Sequence, residues 1–255
     1  MRGLERKVVV VAGGGSGIGA ATARRLAEER VSVVVGDVDG AGAEQVATEI
    51  GTGGGDATPV TFDIAIPESV DALIDAAVRA YGGIDGVHVN AADLSPETIG
   101  RDSNAETVPL EVFDRTIDVD LRGHVLVTRR AVPELLRRGG GAIVYTTSAL
   151  ALTGGRRMPS YAIAKSGLLA LNRHVAARWG KHGIRANAVA PGLVLTETNL
   201  RGMNEQFQRA ALDDLPSPRL GQPEDIAAAV AFLLSDDGAW INGQVISVDG
   251  GLTMR

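Results

Sequence analysis

Short runs that are apolar along their whole length alternate with longer stretches of helical periodicity. Val8-Val9-Val10-Val11 precedes a helix expected from about Gly17 to Glu29, and the strand Val31 to Gly36 precedes one from Ala41 to Ile50. The pattern then predicts a strand over 60–63, a helix over 67–81, a strand over 86–90, a long helical region over 110–138 and a strand over 142–147. Pro159-Ser160 opens a further helix to about His182, followed by strand 184–189, helix 223–235 and strand 244–248. Strands that are apolar on both faces belong in a parallel sheet covered by helices on each side. The βα alternation makes the expected fold α/β, doubly wound. Nothing linker-like divides the chain, so a single domain is expected over 1–255. The polar segment 94–109 and the segment 193–218, which holds a short helical pattern, read either as surface insertions or as the rim of a ligand crevice at the carboxyl edge of the sheet.

Composition narrows the chemistry. With 45% hydrophobic and 22% charged residues the chain has enough apolar material for a sizeable core, and its net charge of −6 speaks against a nucleic-acid partner. There is no cysteine, which removes disulfides, thiolate nucleophiles and cysteine-held metals. The four histidines, His88, His124, His174 and His182, show no metal-ligand spacing, so no metal is expected. The apolar run over 8–12 is short for a signal peptide, and no stretch approaches the ~20 apolar residues of a membrane span. A cytoplasmic protein without membrane contact is the expectation.

The first strand runs into Gly13-Gly14-Gly15-Ser16-Gly17-Ile18-Gly19 and then a helix. Such a turn lets a pyrophosphate approach backbone N–H groups at the positive end of the helix, although a purely structural turn would look the same. A P-loop is excluded because Ala20 and Ala21 follow Gly19, and a nucleophile elbow because Ile18 stands where a second glycine is needed. The second strand ends at Asp37, with Val38 beside it. A carboxylate there accepts hydrogen bonds from a ribose 2′-hydroxyl and repels a 2′-phosphate, so NAD is expected in preference to NADP.

Tyr161 and Lys165 stand four apart near the start of a helix and share one face. Alone the pair is a weak signal. The chemistry suits proton transfer, since a nearby ammonium in a desolvated cleft stabilises a phenolate and brings a tyrosine down from its usual value near 10. Ser148, just beyond the strand over 142–147, is placed to hold the oxygen that exchanges a proton with Tyr161.

Taken together these motifs resemble the short-chain dehydrogenase/reductase family over nearly the whole chain. Ala12-Gly13 through Gly17-Ile18-Gly19 is similar to its glycine motif, Asp63-Ile64 to its adenine-side pair, and Ser148, Tyr161 and Lys165 to its catalytic residues. Asn187 through Pro191-Gly192, then Val194 and Thr196, resembles the segment that holds the nicotinamide carboxamide. Arg219 to Asp225 and Val248-Asp249-Gly250-Gly251 resemble its C-terminal signature. The resemblance implies one Rossmann-type domain with a seven-stranded parallel sheet, and hydride exchange between NAD and a small-molecule alcohol or ketone. Tyr161 would act as acid/base, with Ser148 steadying the oxygen and Lys165 binding the ribose; a homotetramer is common in the family.

Three departures stand out. Ala12 replaces a threonine, and Val89-Asn90-Ala91-Ala92 replaces Asn-Asn-Ala-Gly, leaving Asn90, Ala91 and Ala92 as the candidate cofactor contacts. Asp120 replaces an asparagine that supports a proton-relaying water beside the lysine. That exchange is the best argument for a rival reading, a non-catalytic NAD-binding sensor or scaffold. Enoyl reduction on the same fold is a second rival, disfavoured by the four-residue Tyr–Lys spacing. For the substrate, Leu150, Leu152, Met158, Leu193 and Met203 are candidates to line an apolar cleft.

Overall fold

The computed structural model describes residues 1–254 apart from Met203 and Asp214. In chain order the elements are β1 (Val8–Ala12), α1 (Gly17–Glu28), β2 (Ser32–Asp37), α2 (Gly40–Thr52), β3 (Asp56–Thr61), α3 (Pro67–Tyr81), β4 (Gly86–Val89) and α4 (Leu110–Ile117). After a π-turn over Asp118–Arg122 come α5 (Gly123–Arg137), β5 (Gly141–Thr146), α6 (Pro159–Trp179), β6 (Ile184–Pro191), α7 (Glu197–Gly202), α8 (Glu205–Asp213), α9 (Pro223–Leu234) and β7 (Val245–Val248). The seven strands form one parallel sheet in the order β3-β2-β1-β4-β5-β6-β7.

Strand alternation sends residues to opposite faces, which explains why runs of valine suit the central strands. In β1, Val8, Val10 and Ala12 join one core with Leu73, Ile74, Val127 and Leu135, whereas Val9 and Val11 join another with Leu26, Ile226 and Val230. Helices α1 and α9 pack together over the second face. The strand order reverses between β1 and β4, and their carboxyl ends open the crevice where doubly wound sheets bind ligands.

Two elements differ from the pattern-based expectation. The third strand lies at Asp56–Thr61 rather than 60–63. It is an edge strand, where Pro59 is tolerated and polar residues face outwards, so its composition hides it. The apolar signal beyond it comes from Phe62 and Ile64, which leave the sheet and bury themselves in the core. The long helical region expected over 110–138 is present, but it carries a π-turn in its middle, whose extra residue per turn re-aims the side chains. Val119 and Asp120 are thereby buried.

Candidate active site

Strand β5 ends in Thr146 at the crevice, with Thr147 and Ser148 immediately beyond. The Thr147 hydroxyl donates to the Lys165 carbonyl at 2.7 Å, locking α6 against the strand. Ser148 begins a short 3₁₀ turn and accepts from the Leu150 N–H at 3.2 Å. Tyr161 lies in the first turn of α6 with Lys165 one turn on. The Lys165 ammonium is buried; its Nζ donates to the Thr146 carbonyl at 3.3 Å and stands 5.5 Å from the centre of the Tyr161 ring.

The π-turn brings Asp120 to the same cluster. Its Oδ1 accepts from the Asp93 N–H at 3.0 Å, while Oδ2 is buried with no hydrogen-bond partner. Burial pushes the Asp120 carboxyl up to about 6, although Lys165, the Asp93 N–H and Arg115 favour its charged form. Burial lowers Lys165 from its ordinary value, against the pull of Asp120. The Tyr161 hydroxyl is held above the ordinary tyrosine value by burial first and by Asp120 second, and a hydrogen bond with Ser148 works the other way. This reverses the direction expected from Lys165 alone. Desolvation of the phenolate outweighs an ammonium that burial itself disfavours.

The glycine turn is shaped by close approaches. At Gly13 (φ +90°) an added Cβ would come 2.5 Å from the Ala91 nitrogen, and at Gly19 one would come 1.8 Å from the Gly13 carbonyl oxygen. Asn90 braces the turn, its Nδ2 donating to the Gly13 carbonyl at 2.9 Å. Asn90 Oδ1 accepts from the Thr146 hydroxyl at 2.9 Å, which leaves Thr146 as the acceptor for His88 Nε2 at 2.8 Å. Burial drops His88 to about 3, so it serves as a neutral strut. His88 and Thr146 carry no motif that the sequence could show; only the register of β4 on β5 brings them together.

Asp37 at the end of β2 accepts the Gly15 N–H at 2.8 Å and the Asp39 N–H at 3.0 Å. Each oxygen retains a lone pair for an outside donor. Val38 beside it is exposed. Ser16 caps α1 without using its side chain, so its hydroxyl is free for a phosphate, and Gly17 and Ile18 open the helix. Asp63 Oδ1 accepts from the Ala65 N–H at 2.8 Å, and Ile64 is buried. Beyond Pro191 and Gly192, Val194 bridges to Gly221, and the Thr196 methyl would lie 3.1 Å from a Cβ on Gly17. The segment after β6 therefore folds back over the glycine turn. These free donors, close backbone approaches and the outward lone pairs of Asp37 suit a dinucleotide.

Leu150, Leu152, Met158 and Leu193 are all partly buried; Met203 lies outside the described residues. Sequence reasoning missed Asp102, a buried carboxylate from the 94–109 segment that accepts from the Ser160 and Tyr161 N–H groups at 3.2 and 3.0 Å. Nothing in a polar loop distinguishes it. Among the described residues no helix is long and apolar enough to cross a membrane, and no cluster of histidine and carboxylates could hold a metal ion.

A family model described as "Enoyl-(Acyl carrier protein) reductase" matches residues 12–253. The 7alpha-hydroxysteroid dehydrogenase of Bacteroides fragilis is 37% identical over 255 residues, covering 100% of this chain and 97% of the relative. The cyclohexanol dehydrogenase of an Acinetobacter species is 38% identical over 253 residues, covering 99% and 97%. A solved 7 alpha-hydroxysteroid dehydrogenase, complexed with NADH and 7-oxo glycochenodeoxycholic acid, superposes with a TM-score of 0.91 at 32% identity over 97% of this chain and 94% of that one. This chain belongs to the short-chain dehydrogenase/reductase family.

Proposed function

We propose that this chain, an alcohol/ketone oxidoreductase of its family, interconverts a ring secondary alcohol and its ketone with NAD(H), using Tyr161 as acid/base. The observation that carries the reading is the gathering of Ser148, Tyr161 and Lys165 beside a glycine turn suited to a pyrophosphate. When bound, NAD⁺ would accept the hydride from the alcohol and NADH would supply it to the ketone. Tyr161 moves the proton at the substrate oxygen, Ser148 holds that oxygen, and Lys165 sets the local potential and takes the ribose. Gly13, Gly15, Ser16, Gly17, Ile18 and Gly19 receive the pyrophosphate, with Asn90, Ala91 and Ala92 alongside. Asp37 and Val38 take the adenosine ribose, Asp63 and Ile64 the adenine, and Pro191, Gly192, Val194 and Thr196 the carboxamide.

In this reading the described residues of the segment over 193–218 supply the substrate side of the crevice. The hydroxysteroid and cyclohexanol relatives support a ring alcohol. Exposed Trp240, Leu252 and Met254 flank the edge strand β7, which supports assembly into a homotetramer through that edge. Dependence on an intracellular NAD pool supports a cytoplasmic location. The description of the matching family model favours enoyl reduction as a second reading, against which the four-residue Tyr–Lys spacing stands.

Absorbance at 340 nm with cyclohexanol, a hydroxysteroid, a β-hydroxyacyl thioester and an enoyl thioester, each with both cofactors, tests the assignment. Ring alcohols should drive NAD reduction, with kcat/KM for NAD at least ~100-fold above that for NADP because of Asp37. Turnover of the enoyl thioester alone, or comparable use of both cofactors, overturns the corresponding part.

A further inference from the structure

Helix α6 has no cap of its own. The residue at its N-cap, Met158, makes no side-chain capping bond, and Pro159 at the first helical position has no N–H to give. The first i→i−4 bond runs from Ala162 to Met158 at 3.0 Å. Two N–H groups are left in the first turn, those of Ser160 and Tyr161. Both go to Asp102: the Ser160 N–H to Oδ1 at 3.2 Å, the Tyr161 N–H to Oδ2 at 3.0 Å. The Ser160 hydroxyl also donates to Oδ1, at 2.9 Å. The Asp102 carbonyl in turn accepts the Met158 N–H at 2.9 Å and holds Met158 in a left-handed conformation (φ 62°, ψ 50°) that such a residue seldom adopts.

We propose that Asp102 is a positioning residue for the reaction: its carboxylate fixes the backbone of Tyr161, and so the distance from the phenol to the substrate oxygen. Four features carry this. The carboxylate is fully buried although most of its loop neighbours are exposed. It comes from 58 and 59 residues away in sequence, so the cap is a tertiary tie and not local helix chemistry. It binds the N–H of Tyr161 itself. Immediately before the same segment stands Asp93, whose N–H holds Asp120 and whose carboxylate pairs with Arg115 at 2.9 Å. One stretch of chain therefore registers the two groups that set the potential and position of the phenol. A negative charge also suits the positive end of a 21-residue helix.

The inference rests on Tyr161 being the acid/base, and Tyr161→Phe, assayed beside wild type on cyclohexanol with NAD, checks that reading separately. Asp102→Asn and Asp102→Ala are compared with wild type and with Glu106→Ala, an exposed change in the same loop. Rates are expressed per NADH-binding site, counted by fluorescence titration, so that unfolded protein does not register as lost catalysis. Because an ångström of misplacement costs about a hundredfold, kcat per site should fall about 100-fold in the alanine variant and about 10-fold in the asparagine variant. Asparagine keeps one acceptor but turns an NH₂ group towards the second N–H. NADH affinity should stay within threefold, and the isotope effect with carbinol-deuterated cyclohexanol should equal or exceed that of wild type. Should neither variant fold, Ser160→Ala, which removes a single bond to the carboxylate, should still lower kcat per site severalfold. Undiminished kcat per site in the variants that fold, a loss matched by Glu106→Ala, or a smaller isotope effect overturns the proposal.

Discussion

Asp120 combines two demands that conflict. One oxygen is used by the Asp93 N–H, the other is buried without a partner, and the carboxyl titrates at about 6 rather than near 4. Lys165, Arg115 and Asp93 act on it, and it in turn raises Tyr161. Above about pH 6 the charged form opposes the phenolate; below it, the neutral form does not. Asp120→Asn should therefore keep the enzyme active and move the acidic limb of kcat/KM for alcohol oxidation to lower pH, by about one unit or less. A profile that stays in place refutes the coupling. Tyr161→Phe is the sharper test of the same centre: it removes the transferable proton and little else. It should lower kcat by about a thousandfold or more while NADH affinity, measured by fluorescence, changes only a few-fold. Retention of more than a few per cent of turnover would remove Tyr161 from its role.

At the scale of elements, the glycine turn and α2 show how differently two glycines can matter. An alanine Cβ at Gly19 would lie 1.8 Å from the Gly13 carbonyl oxygen, which is backbone and cannot step aside. Gly51, inside α2, has nothing within 4 Å. Gly19→Ala should therefore weaken NADH binding by two orders of magnitude or more and lower Tm, whereas Gly51→Ala should raise stability by up to ~1 kcal/mol through helix propensity. Equal melting temperatures for the two variants would contradict this packing. The turn was legible in the sequence because its glycines stand between a valine strand and a helix, with Asp37 closing the next strand, and the buried strands because valine runs declare themselves. Edge strand β3 was not, since Asp56 and Pro59 suit an edge and nothing else in their composition marks a strand. Nor was the π-turn: one inserted residue leaves the apolar period of 110–138 almost unchanged while rotating Asp120 inwards. Tyr161, Lys165 and Ser148 stand at readable spacings, but Asp102 acts across 59 positions, and only the folded chain brings it to Tyr161.

For the molecule as a whole, the body beneath the crevice hides two neutral histidines, and this couples global stability to pH. His88 on β4 is lowered to about 3 by burial. His124, in the first turn of α5, is lowered well below its ordinary value by burial and by repulsion from Lys165 and His88, which outweigh backbone groups of Val119 and Val89 that favour the proton. Unfolding returns both to about 6.5, so each takes up a proton on unfolding below that pH. Their contribution is complete above about 6.5 and is lost as pH falls towards the folded values. Asp120 opposes them: its folded value of about 6 exceeds its unfolded one, so unfolding releases a proton between about pH 4 and 6. At pH 5 the two histidines thus outnumber the one carboxyl. His124 is the group to remove, because neither of its ring nitrogens makes a well-formed hydrogen bond, whereas His88 is tied to Thr146. His124→Leu carries some fixed change in packing energy that is the same at every pH. Beyond that constant, the variant should gain roughly 2 kcal/mol on wild type between pH 7.5 and pH 5, the free energy by which protonation of the released imidazole favours the unfolded wild-type chain over that interval. Urea unfolding at fixed protein concentration measures it, and a wild-type-to-variant difference that does not change with pH would show that His124 is protonated within the folded protein.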